Sequence, residues 1–262
     1  GSMSDCVSGG NAMDYELIAP RARLGFIIPS SNRMVEPQLQ RFAPDGVEPH
    51  ITRIGMTNRH KAPLDQLLPR IVDAAELLGD SKCDVTVLQC TGTSMSGGVA
   101  GERGVIEAIE AATGRPALSA ASSLMAAFAA LNARRLVFVS ETAQAGHDKK
   151  AAFLKEAGFE LVADKAMGLA SSDIYCTTPP AFWRDNVLAT KDDAADAYFI
   201  SCANIHSVDV IAELEASLDR PVVTSNQAAL WCALRTAGLR DDIPALGRLY
   251  KTDLPASAAA AE

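Results

Sequence analysis

Short β-branched and apolar runs alternate along the chain with longer alanine-rich stretches whose apolar positions recur every three or four residues. The short runs fit strands buried on both faces and the longer ones amphipathic helices. Their alternation is the mark of βαβ units closing on a parallel sheet. The pattern predicts strands over 23–28 (RLGFII), 50–55 (HITRIG), 84–89 (DVTVLQ) and 116–120 (PALSA). A second set follows over 135–140 (RLVFVS), 159–164 (FELVAD), 197–202 (AYFISC) and 221–225 (PVVTS). Helices are predicted over 65–79, 101–113, 121–132, 146–157, 207–218 and 226–237.

The two sets read as copies of one unit. Leu24 opens the first strand of one set and Leu136 that of the other, 112 residues later; Cys90 and Cys202 end the third strands at the same offset. The fourth strands also correspond, GRPALSAASSLMAAF (114–128) beside DRPVVTSNQAALWCAL (219–234). The expected fold class is therefore α/β, with two pseudo-symmetric lobes, each carrying a four-stranded parallel sheet. Open parallel sheets bind ligands beyond the carboxyl ends of their strands. Two such edges related by a pseudo-twofold axis face one another across a cleft, with Cys90 and Cys202 on opposite sides. The helix from 226 is expected to cross back, so that 22–132 plus 226–262 form the first lobe and 133–225 the second. Residues 1–21, opening GSMSDCVSGGNAM, read as a tag remnant and flexible tail.

Composition narrows the function. With 24 basic against 32 acidic residues the formal charge is −8, and no block of lysine or arginine occurs. Nucleic acid and anionic membrane are thus unfavourable partners. A small anion is not, because backbone N–H groups can supply local positive potential. No apolar run reaches the length of a membrane span, and no secretory signal is visible. Six dispersed cysteines, at 6, 83, 90, 176, 202 and 232, are expected to be reduced thiols in a cytoplasmic protein.

A single cysteine at a strand end usually packs as a small hydrophobe. Two at equivalent places of a repeat, each before small polar residues and a predicted helix (CTGTSMSGG and CANIHS), favour chemistry. A helix N-terminus lowers a thiol pKa, and its amides can hold a carboxylate or an enediolate. Two facing thiols can move a proton from one face of a carbon to the other. Alternatively one adds to an activated double bond while the other protonates the neighbouring carbon. Neither route calls for a metal or an organic cofactor. His206, four residues after Cys202, suggests a metal site only weakly, since zinc ligands usually come in closer pairs. Arg53 and TNRHK (57–61) are candidates for positive charge at the cleft mouth, and GGVAGERG (97–104) lacks phosphate-loop spacing. The stretch 171–186, SSDIYCTTPPAFWRDN, reads as a lid or a structured connection.

The chain also resembles the aspartate/glutamate racemase superfamily, within its branch of maleate cis–trans isomerases and arylmalonate decarboxylases. The resemblance rests on LGFIIPSSN (24–32) with Glu36, VTVLQCTGTS (85–94), YFISCANI (198–205), PVVTSNQAALW (221–231) and GRLY (247–250). It implies two Rossmann-like lobes around a cofactor-independent site and a homo-oligomer. It also implies Cys90 as the nucleophile that adds to the alkene and Cys202 as its acid–base partner. Substrate contacts are implied for Ser31 and Asn32, for Thr91 and Gly92, for Ala203, and for positions after the fifth and sixth strands. At those last positions this chain departs from the maleate isomerases, with Thr142 in place of a tyrosine and Ser171 or Ser172 in place of an asparagine. The decarboxylases keep only the second cysteine, so Cys90 favours isomerisation or racemisation, while TGTS resembles their dioxyanion-binding segment. The expected ligand is a small mono- or dicarboxylate. The leading reading is a dicarboxylate isomerase. Its alternatives are a decarboxylase or racemase of a small carboxylic acid, and a two-lobed carboxylate-binding protein without turnover.

Overall fold

The computed structural model of the protein describes residues 20–256. The expectations for the N-terminal tail and for Cys6 lie outside them. Strands Ala22–Pro29 (β1), Val47–Ile54 (β2), Val85–Leu88 (β3) and Ala117–Ser119 (β4) form one sheet in the order β2-β1-β3-β4, parallel throughout. Strands Arg135–Ser140 (β5), Glu160–Ala166 (β6), Ala197–Ser201 (β7) and Val222–Thr224 (β8) form the other, β6-β5-β7-β8, with the same connectivity. The repeat extends to register: Leu24 pairs with Val85 in the first sheet, and Leu136 pairs with Ala197, 112 residues further along in both strands. Residue patterning explains the fully buried central strands β3, with burial of every residue, and β7, likewise closed on both faces.

Ten α-helices are present among the described residues: Val35–Phe42 (α1), Leu64–Asp80 (α2), Thr91–Met95 (α3), Gly98–Thr113 (α4), Ala120–Ala130 (α5), Gln144–Glu156 (α6), Ser172–Thr177 (α7), Pro180–Ala189 (α8), Ile211–Leu218 (α9) and Ser225–Thr236 (α10). The predicted helices lie within a few residues of these, except that 207–218 divides into a 3₁₀ turn, Val208–Val210, and α9. Helices α1, α3, α7 and α8 were not anticipated. The TPP of 178–180 leads into a helix, since Pro180 stands at the first turn of α8, where its missing N–H costs nothing. Strand β2 begins at Val47 rather than at His50 because it is a sheet edge, where Pro49 is tolerated.

Both fourth strands run straight into a capped helix. Ser119 accepts from the Ser122 N–H at the start of α5, and Thr224 accepts from the Gln227 N–H at the start of α10; in each case the partner side chain returns a bond to the cap residue's own N–H. Helix α10 touches β3 and β4 of one sheet, β8 of the other, and α5. It is buried all round from Ser225 to Arg235, as a helix in the middle of a core must be. The main apolar cluster, with Phe128, Phe138, Phe199, Trp183 and Trp231, runs continuously through both halves. A second cluster, including Ile71, Leu78, Val105 and Ile109, lies where α2 and α4 cover the first sheet. Among the described residues no helix is long and apolar enough to cross a membrane.

Candidate active site

A cavity of about 350 Å³ opens where the carboxyl ends of the two sheets meet. The first half contributes Ser31, Asn32, Cys90, Thr91 and Gly92, and the second Glu141, Thr142, Lys150, Cys202 and Ala203. Eight of the nine residues expected at the site therefore border one space. The ninth, Ser171, does not: its hydroxyl caps α7 by accepting from the Ile174 N–H, and its neighbour Ser172 faces the cavity. A helix start claims the first serine of the pair, which leaves the second free to turn inward.

Cys90 stands at the end of β3 as the residue preceding α3, and its Sγ donates to Thr93 Oγ1 at 3.2 Å. Cys202 follows β7 with φ +130°, a backbone region that only glycine adopts at ease. Two bonds hold it there: its N–H donates to Ser225 Oγ at 3.2 Å, and its Sγ accepts from the Asn204 N–H at 3.3 Å. No disulfide or hydrogen bond joins the two sulfurs, so the expected facing pair is a pair only in sharing the cavity. Cys90 passes straight into α3, whereas turns and bends over 203–206 separate Cys202 from the 3₁₀ turn Val208–Val210 and α9. The expected fall in thiol pKa is reversed as well. Burial pushes the Cys90 thiol up, with the Thr93 contacts and Lys150 opposing. For Cys202 burial and then the Glu141 carboxylate push it well above the ordinary thiol value, outweighing Lys150 and the Asn204 N–H.

Polar side chains stitch the two halves together immediately beneath this cavity. Asn32 Nδ2 donates to the Ala203 carbonyl at 3.0 Å, and its Oδ1 accepts from the Met34 and Val35 N–H groups at the start of α1. These bonds fix the Asn32 amide in place and use one of its two Nδ2 hydrogens, at a position that borders the cavity. Asn226 Nδ2 donates to Gln38 Oε1 and to the Ala203 carbonyl, and its Oδ1 accepts from Gln89 Nε2. Ser225 Oγ takes the Thr91 hydroxyl at 2.8 Å as well as the Cys202 N–H. One hydroxyl therefore fixes both cysteine-bearing turns. Sequence reasoning placed 225–226 in a matching motif without giving either side chain a role; a serine and an asparagine in the first turn of a wholly buried helix was the available signal.

Two further groups were missed. Lys150, on α6, is buried at 5% exposure, and its Nζ donates to Glu141 Oε1 at 2.8 Å, to Glu141 Oε2 at 3.0 Å and to Ser201 Oγ at 3.2 Å. Burial works against the Lys150 charge, but Glu141 and the two thiols more than offset it and the ammonium is held above its ordinary range. Tyr175 enters from α7; burial first and Glu141 next push its phenol up. Helix α7 belongs in part to both halves: Ser172 lies within reach of Asn58 and Ser31, and Asp173 pairs with Arg33 at 2.5 Å. The 171–186 stretch is therefore a structured cover, one short helix of which borders the cavity.

The basic segment 57–61 reaches the cavity through Thr57, Asn58 and Lys61, whereas Arg53 is spent on the Asn32 carbonyl and on Glu36. His206 donates from Nε2 to the Cys176 carbonyl at 2.9 Å and makes no metal cluster with the cysteines; among the described residues no group of three metal-ligating side chains is found.

Comparison with known proteins agrees with this architecture. Arylmalonate decarboxylase of Bordetella bronchiseptica is 26% identical over 231 residues, covering 87% of this chain and 95% of its own. Maleate isomerase of Pseudomonas putida is 25% identical over 240 residues, covering 87% and 96%. Among solved structures, a maleate cis–trans isomerase variant of Nocardia farcinica, with a covalently bound succinylcysteine intermediate, superposes with a TM-score of 0.78 at 23% identity, over 87% of this chain and 98% of that one. The arylmalonate decarboxylase family model matches residues 24–250. The chain belongs to the arylmalonate decarboxylase family, in the branch of the aspartate/glutamate racemase superfamily that also holds the maleate isomerases.

Proposed function

We propose that the protein is a cofactor-independent isomerase of a small dicarboxylate, with Cys90 as nucleophile and Cys202 as acid–base partner. The observation that carries this reading is the arrival of two thiols, one from each half, at a single cavity whose wall also holds Lys61, Lys149 and Lys150. A four-carbon diacid suits a space of about 350 Å³. With Lys150 paired to Glu141, the ammonium groups of Lys61 and Lys149 at the rim favour an anion within it.

In this mechanism Cys90 gives its proton to solvent water in the open cavity, and its Sγ, now a thiolate, forms a bond to one alkene carbon. The π electrons move onto the neighbouring carboxylate-bearing carbon as an enediolate, which takes the Cys202 proton. Rotation about the new single bond follows. Return of that proton to Cys202 then expels Cys90 as thiolate and leaves the trans alkene. The backbone amides of Thr91, Gly92 and Ala203, with the hydroxyls of Ser31, Thr142 and Ser172, are the proposed carboxylate contacts; Asn32 positions them through Ala203. The succinylcysteine carried by the Nocardia relative supports a thioether intermediate of this kind.

A second reading, decarboxylation or racemisation, is favoured by one observation. Cys202, well above the ordinary thiol pKa, is a proton donor by default and needs no partner to protonate an enediolate.

Incubation with maleate in deuterium oxide, followed by proton NMR, tests the first reading through formation of fumarate. Cys90→Ala and Cys202→Ala are both expected to abolish it. Turnover of a malonate that survives in Cys90→Ala and is lost in Cys202→Ala would establish the second reading instead. No turnover of either class, with both thiols inert to iodoacetamide, would refute both.

A further inference from the structure

The buried ion pair Glu141–Lys150 has no part in the chemistry above, and its cost to the fold asks for a reason. An apolar pair of similar volume would hold the same interior at least as well, since desolvating two charges offsets most of their attraction. The pair is nonetheless built into the cavity wall. Glu141 follows β5 directly, and Lys150 reaches from α6 to the end of β7, where its Nζ meets Ser201 Oγ at 3.2 Å, one residue before Cys202. On its other side the lysine chain lies against the Cys90 turn: a Cβ added to Gly92 would stand 3.9 Å from Lys150 Cε. The pair thus lies between the two cysteine-bearing turns.

A closed site tolerates about as much negative charge as it has buried cations to balance. Among the described residues Lys150 is the only buried cation in this cavity wall, because Lys61 and Lys149 are exposed at its rim. With Glu141 ionised, the single anion that Lys150 supports is already present. We propose that Glu141 and Lys150 are positioning residues for Cys202, their charges meeting at the cavity wall so that Cys202 remains a thiol and keeps a proton to give. This rests on the reading of Cys202 as the proton donor. Once Cys202 has given that proton its sulfur carries the second negative charge beside one ammonium, and the same imbalance drives the proton back. The other titratable groups facing this space are Cys90 from the β3–α3 turn and Tyr175 from α7, with Cys176 behind Asn204. Neither Cys90 nor Tyr175 adds positive charge.

The test uses iodoacetamide as probe, with modification of Cys202 read by peptide mass spectrometry as a function of pH. In the wild-type protein Cys202 is expected to react only as pH rises into the alkaline range. Glu141→Gln keeps an oxygen for Lys150 and removes the charge. The ammonium then takes Cys202 as its anion, alkylation at neutral pH rises about tenfold or more, and thiolate absorbance appears in the ultraviolet. The double variant Glu141→Gln/Lys150→Met removes both charges and is expected to return Cys202 to the slow reaction of the wild type. If Glu141→Gln does not fold, by circular dichroism, Glu141→Ser carries the same prediction. Wild-type reactivity with an alkaline profile that Glu141→Gln leaves unmoved overturns this inference alone. A gain that persists in the double variant does the same. Failure of Cys202 to react at any pH in the folded wild-type protein overturns both this inference and the role of Cys202 on which it rests.

Discussion

Replacing Cys202 by glycine should give a more stable protein than replacing it by alanine, the reverse of the usual order. At an ordinary position glycine costs about 0.5–1 kcal/mol relative to alanine, because the unfolded chain gains freedom that folding must remove. Cys202 is held at φ +130°, where a Cβ clashes with the backbone and the strain amounts to about 1–3 kcal/mol. Both substitutions delete the sulfur, its packing and its bond from the Asn204 N–H, so these losses cancel in the comparison. Alanine retains the Cβ and the strain; glycine loses both. Taking the middle of each range, a release of about 2 kcal/mol against a cost of about 0.75 kcal/mol leaves the glycine variant ahead by roughly 1 kcal/mol. That is about 2–4 °C in melting temperature for a chain of this size. Urea denaturation of the two variants, followed by far-ultraviolet circular dichroism and compared at a common slope, measures the difference. An alanine variant as stable as the glycine variant, or more so, would refute the claim that the fold stores strain at this residue.

Three other outcomes follow from the same geometry. Asn32→Ala removes a donor to Ala203 and the acceptor for two buried N–H groups, and should cost about 2–4 kcal/mol in denaturant titration. A loss below 0.5 kcal/mol together with loss of substrate binding would instead make Asn32 a ligand-binding group. Burial opposes ionisation of Asp196, but the Arg135 N–H and guanidinium and the Arg134 N–H bring its carboxyl down to about 2. Its folded-state pKa is depressed, so its stabilisation is present above the unfolded value near 4 and is lost as pH falls through about 2. Asp196→Asn should therefore cost about 1–2 kcal/mol at neutral pH, after allowance for partial exposure, and the gap should close between pH 4 and pH 2. Burial pushes the Cys232 thiol up to about 12, so it should resist iodoacetamide in the native protein and react only on unfolding.

The parts of the fold that could be read from the chain are those whose burial is periodic. Strand β5 was placed to the residue, because RLVFVS is apolar and bounded by charge and turn residues, and the 112-residue repeat reappears in the pairing register. The short helices escaped because their signals are not periodic: α3 has five residues, mostly small and polar, and α7 has six. At the site, the strand-end cysteines were visible because the repeat doubled them. Lys150 was not, since one of the paired lysines in QAGHDKKAAFLKE reads as solvated, although its three-residue spacing from His147 and from Phe153 puts it on the buried face. The elevated thiol pKa values were out of reach for a different reason. They depend first on burial and then, for Cys202, on Glu141, whose approach is a consequence of two strands lying side by side in β5 and β7, not of any local pattern.

The matched halves also differ in their buried charge. Carrying the 112-residue offset backward from Glu141 and Lys150 leads to Pro29 and Gln38, neither of which bears a charge. Gln38 spends its amide on Asn226 and the Ile205 carbonyl. The buried charge of the cavity wall therefore comes from the second half, with Lys61 of the first exposed at the rim, so a molecule with two identical ends would meet two different environments. For the proposed diacid, such a chamber would set a direction on a ligand that has none of its own, and with it which face of a trigonal carbon is turned toward Cys90 and which toward Cys202.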